Sequence, residues 1–129
     1  MNKEKIKKLL QKLGLDTVGI APIGPYEELR KILQDKADKN LITGMEEADI
    51  EKRINPKLIM EDAKSIIVCA FPYYISEQYQ SNISRYCYGQ DYHLVIKNKL
   101  NNICEEIKSK DNNFKYEVFA DNGPLVDRY

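Results

Sequence analysis

Three places in this chain carry side chains suited to more than packing. The densest is Ser84-Arg85-Tyr86-Cys87-Tyr88-Gly89-Gln90-Asp91-Tyr92-His93. Six of the nine tyrosines fall between Tyr73 and Tyr92. Tyrosine joins a flat apolar face to a polar tip, which suits a large planar ligand or stacked bases. The same rings could instead cap a core edge and hydrogen-bond locally, and composition alone does not separate the two. His93 is the only histidine, and it falls in the first turn of a helix opening at Asp91. The positive end of that helix disfavours an imidazolium, so a neutral donor and acceptor fits there. A purely structural histidine fits too. With no second His or Cys at ligand spacing, nothing points to a metal.

Asp121 is the second place. It lies just past a short apolar run and is followed by Asn122-Gly123-Pro124. In open α/β sheets ligands collect outside the carboxyl ends of strands. An acid there, shielded by a large apolar ligand, could hold and donate a proton. Asp before a turn and a new helix is also an ordinary N-cap. The third place is Arg53 in Glu51-Lys52-Arg53-Ile54-Asn55-Pro56, which read alone is a solvated charge. Nucleotide-phosphate loops are absent, with neither GxxxxGK[ST] nor GxGxxG in the chain. Cys87 has Arg85 nearby, and nothing marks it as a nucleophile.

Helices and strands must position these groups. Ile6, Leu9, Leu10 and Leu13 form a helical stripe over Lys3–Leu13, ended by Gly14. Asp16–Ala21 reads as a short strand, broken by Pro22 and Gly24-Pro25. Tyr26–Asp38 has the helical period, Glu46–Arg53 one or two turns of helix, and Pro56–Met60 a short helix with proline in its first turn. Ser65–Tyr73 is the most apolar strand, without clean alternation, so it reads as central and covered on both faces, ending near Pro72. Ile75–Gly89 is a polar connection, expected to be mobile or irregular. Asp91 caps a helix to about Lys108 with Tyr92, Val95, Ile96, Leu100, Ile103 and Ile107 as its buried stripe. Tyr116–Ala120 reads as a second strand, and Leu125–Tyr129 as the start of another helix. Strand Ser65–Tyr73, the helix and strand Tyr116–Ala120 together predict a βαβ unit with parallel strands. The fold class expected is α/β, or α+β with a mixed sheet: a small mixed or parallel sheet with flanking helices, in one domain over residues 1–129.

Composition bounds the partners. At 129 residues the chain has room for one domain and a real apolar core. Its 20 basic and 20 acidic residues balance, which argues against a free-standing cationic nucleic-acid binder but not against a local basic patch. No apolar run approaches the ~18 residues a membrane span needs, and Met1–Lys12 lacks a signal-peptide core. Three widely spaced cysteines without CxxC encode no zinc knuckle or iron–sulfur run. The expectation is a soluble, reduced, cytoplasmic domain.

Five segments in order resemble the N-terminal part of epoxyqueuosine reductases. They are Gly14–Ala21 (GLDTVGIA), Arg53–Leu58 (RINPKL), Ala63–Val68 (AKSIIV), Ser84–His93, and Val118–Arg128 (VFADNGPLVDR). Their order and spacing run over the whole chain, and the GxDYH-type run is the strongest part. The resemblance implies a cobalamin-dependent oxidoreductase with two [4Fe–4S] clusters, which converts epoxyqueuosine to queuosine at the tRNA wobble position. Asp121 matches the family's proton-donor aspartate beside the corrin. Arg53 and Ser84 match positions that contact cobalamin. Arg128 matches an arginine near the active site, and His93 of the GxDYH-type run is a further positioning candidate. Asn122 departs from the Ser or Thr of many members, and the glycine-rich segment and cluster cysteines expected next are not in this sequence. An N-terminal fragment, inactive alone and able to dimerise through exposed apolar surface, is therefore expected. A reductive-dehalogenase-like relative with a tyrosine donor, and a non-catalytic binding module, are the alternatives.

Overall fold

The computed structural model describes residues 2–15, 17–72, 91–121 and 123–125. Its elements are α1 (Lys3–Lys12), β1 (Thr17–Pro22), α2 (Glu27–Asp38), α3 (Ile50–Ile54), a 3₁₀ turn (Pro56–Leu58), β2 (Ser65–Ala70) and α4 (Tyr92–Lys110). This is the mixed helix-and-strand class expected, built on a small antiparallel sheet in which β1 pairs with β2. The chain divides into two compact units, Met1–Ile20 with Ile67–Asp121, and Ala21–Ile66 with Asn122–Tyr129. Among the described residues no helix is long and apolar enough to cross a membrane.

The first unit is organised by α1 and α4. Asn2 caps α1 by accepting from the Glu4 amide at 2.7 Å, as a short polar side chain does for an orphan N–H. At the other end Gly14 takes φ 86°. Its amide donates to Gln11 O at 3.0 Å, and the Leu15 amide donates to Leu10 O at 3.0 Å. That pair of bonds is the Schellman closure, and its usual apolar contact is present because Leu10 and Leu15 share one buried cluster with Ile103 and Ile107. Val18 of β1, Ile67 and Cys69 of β2, then Phe71, Leu100 and Phe114 pack against that cluster.

Three expectations change here. β2 is not covered on both faces: among the described residues the sheet has two strands, and Val68 is 58% exposed while its neighbours Ile67 and Cys69 face the core. Strand side chains alternate, so a single layer of helices covers only every second one. Val95 is 45% exposed, since it sits on the rim of the stripe that runs through Ile96, Leu100, Ile103 and Ile107. Finally, Tyr116–Ala120 is not a strand. Phe114, Tyr116, Val118 and Ala120 are more buried than Lys115, Glu117 and Phe119 between them, which is a strand's alternation. The segment joins no ladder among the described residues, so the expected βαβ unit with parallel strands is not formed there. Alternation is a local property, whereas a ladder needs a neighbour. Ile75–Gly89 and the Leu125–Tyr129 helix start fall almost wholly outside the described residues.

In the second unit Leu33 of α2 and Ile54 of α3 are buried, Ile54 fully. Asp49 caps α3 through the Glu51 amide at 2.9 Å, and Asn55 caps the following turn through Lys57 at 3.2 Å with Pro56 in its first turn. Arg30 of α2 pairs with Glu27 and with Glu51 of α3. Gly24 lies so close to this layer that a Cβ on it would stand 2.8 Å from Ile54 O.

Candidate functional site

The start of α4 gathers the polar groups of the first unit. Asp91 caps the helix by accepting from the His93 amide at 3.1 Å. The same Oδ1 lies 3.0 Å from His93 Nδ1. Those two bonds, the side-chain one first, hold the Asp91 carboxyl below its ordinary range. One residue into the helix, the Tyr92 ring lies 4.0 Å from the His93 ring, centroid to centroid. The Tyr92 hydroxyl donates to Asp121 Oδ2 at 2.9 Å across 29 residues of sequence.

Asp121 itself takes φ 60°, the left-handed region that aspartate tolerates better than most residues. It is exposed and follows the buried Ala120. The described ion pairs do not include it. Its described side-chain partner is the Tyr92 phenol.

Asp121 and His93 therefore belong to one unit and lie near one helix start, joined through Tyr92. Arg53 is half-buried in the last turn of α3, in the second unit, where its amide donates to Asp49 O at 3.3 Å. Ser84 and Arg128 lie outside the described residues. A concavity in the second unit is lined by Arg30, Gln34, Asp35, Asp38, Ile50 and Glu51, none of them a residue nominated from sequence. Tyr92 is the contact that sequence reasoning missed. The sequence places Tyr92 both in the tyrosine-rich run and in the packing stripe of α4, and neither reading predicts its bond to Asp121.

Cysteine chemistry is muted. Burial, then Cys69 and Glu105 nearby, push the Cys104 thiol up to about 11, and burial raises Cys69. Both stay protonated and poorly nucleophilic at neutral pH. Among the described residues no group of three His, Cys, Asp or Glu side chains is placed to hold a metal ion.

A helix-and-strand fold with a carboxylate, a phenol and an imidazole gathered at the start of α4 places the chain among α-and-β proteins. Residues 53–122 match the family described as Epoxyqueuosine reductase QueG, DUF1730, and the chain belongs to that family. The epoxyqueuosine reductase of Lactococcus garvieae is 32% identical over 97% of this chain and 38% of its own length. A crystal structure of an epoxyqueuosine reductase with an epoxyqueuosine-modified tRNA-Tyr stem loop matches with a TM-score of 0.79 and 30% identity, over 97% of this chain and 36% of that one. The Bacillus subtilis enzyme, solved with its aspartate-bearing catalytic loop swung out of the active site, matches with a TM-score of 0.78 and 27% identity, over 96% and 36%. The chain thus spans 33% to 44% of the length of the relatives it matches.

Proposed function

We propose that this chain is the N-terminal, cobalamin-binding-type part, residues 1–129, of an epoxyqueuosine reductase that acts on tRNA in the cytoplasm. The observation that carries the reading is Asp121, exposed, held in a left-handed conformation and bonded to a phenol. A relative solved with its aspartate-bearing catalytic loop swung out of the active site supports it, and so does a relative solved with the modified stem loop.

Removing the epoxide oxygen as water takes two protons and two electrons, and ring opening generates an alkoxide, a poor leaving group until it is protonated. Asp121 would supply that proton from a carboxyl within hydrogen-bond reach, about 2.6–3.2 Å. Cobalamin, when bound, would supply the reducing centre, and Asp121, exposed and bonded to a phenol, would stand beside it. Arg53 and Ser84 would hold cobalamin, and His93 and Arg128 would position groups near the substrate. The three cysteines lack cluster spacing, so the ligands of two [4Fe–4S] clusters would come from other sequence, and no electron-transfer step is assigned to these residues. Self-association through exposed apolar surface belongs to the same reading.

The test is Asp121→Asn in a protein of the relatives' length. The amide keeps the size and still accepts from Tyr92, so the visible cobalamin spectrum should persist. Epoxide reduction should fall by about 10²–10⁴, the usual loss for a general acid. Wild-type turnover with cobalamin bound would remove the proton-donor role.

A further inference from the structure

Of the groups that meet at the start of α4, Tyr92 is the one that touches Asp121 directly. We propose that Tyr92 is a positioning residue for Asp121: by holding Oδ2 it makes Oδ1 the oxygen that faces the reacting group. This rests on the proton-donor reading of Asp121 and names the residue on which it depends.

The physical argument begins with the carboxyl. Its two oxygens are equivalent, and its terminal torsion is broad, so an exposed aspartate presents either oxygen in many directions. One hydrogen bond removes that equivalence. Tyr92 can supply it because its own position is fixed twice over. It is the first residue of a 19-residue helix whose Ile103 and Ile107 are buried in the core, and its ring lies against His93. Asp121 is fixed on its other side by buried Ala120 and by a backbone angle that few alternatives share. The hydroxyl is also the right kind of donor. A phenol can donate to Oδ2 whether the carboxyl is protonated at Oδ1 or ionised, so the bond survives the transfer. A Lys or Arg in that place would favour the ionised form alone and oppose proton release.

The experiment compares Tyr92→Phe, Asp121→Asn, Asp121→Ala and the double variant Tyr92→Phe/Asp121→Ala. The first readout is amide hydrogen exchange at Phe119, Ala120 and Asp121 in the protein, which needs neither cofactor nor substrate. Losing the bond should speed exchange about fivefold in Tyr92→Phe, the usual net effect of one hydrogen bond. Asp121→Asn should stay near wild type, since its carbonyl still accepts. Asp121→Ala should exchange at least as fast as Tyr92→Phe, since alanine also strains the backbone at φ 60°, and adding Tyr92→Phe to Asp121→Ala should speed exchange no further. The second readout is turnover of the reductase. Tyr92→Phe should lower kcat about ten- to a hundredfold, the scale of a misplaced catalytic group, with KM for the tRNA and the cobalamin spectrum unchanged. Unchanged exchange in Tyr92→Phe, or additive effects in the double variant, would overturn the contact. Faster exchange with unchanged kcat would overturn the positioning role and leave a structural tie. Wild-type turnover by Asp121→Asn would instead strike the proton-donor reading itself, while the exchange result would still stand for the contact.

Discussion

Asp91 does two jobs with one oxygen, capping α4 and bonding the His93 ring. Its carboxyl is held below the ordinary range by those bonds. A carboxyl depressed in the folded state contributes stability that is present above its unfolded value, about 3.9, and lost as pH falls through the folded one. Asn is an equally good cap but carries no charge. Thermal melts of wild type and Asp91→Asn should therefore differ at pH 6 and converge as pH falls through the lowered folded value of Asp91. A constant gap across that range would mean that the charge contributes nothing and the cap everything. At this scale the sequence was legible for residue type: Asp121, His93 and Arg53 were all nominated before any geometry. The bond of Tyr92 to Asp121 was not legible, because an aromatic at helical spacing reads as core or as a stacking face until its hydroxyl's partner, 29 residues away, is known.

Elements were the most legible scale, because their signals are local. The stripe of α1, the Asp91 cap of α4 and the proline-led turn at Pro56 all fall within one or two residues of where periodicity and capping put them. The Schellman closure at Gly14 offers a clean measurement. Gly14→Ala puts a side chain at φ 86°, costing about 1–2 kcal/mol and lowering Tm by roughly 4–7 °C. Gly19→Ala is the comparison: a Cβ there meets nothing within 4 Å, and its φ is not left-handed. It should change Tm little. Equal losses in the two variants, read by calorimetry, would deny the backbone argument.

For the whole molecule, legibility fell away where distant pieces must find each other. Alternation in Phe114–Ala120 marks which side chains face inward, but it carries no information about a neighbouring ladder. The division at Ile20 and Ile67 runs through both strands of the sheet, and no shift in composition announces it. The bare side of β2 also has a bearing on handling. Ser65–Ala70 is an uncharged, β-branched hexapeptide of the sort that templates cross-β stacking once loosened, and Val68 already stands out from it. Warm, concentrated solutions should therefore cloud through this window first. A gatekeeper there should act on solubility and not on folding. Val68→Lys is expected to leave Tm nearly unchanged, as surface changes usually do within about 0.5 kcal/mol, while raising the temperature at which light scattering begins. Scattering onset that moves only in step with Tm would assign the turbidity to global unfolding, with no special part for this strand.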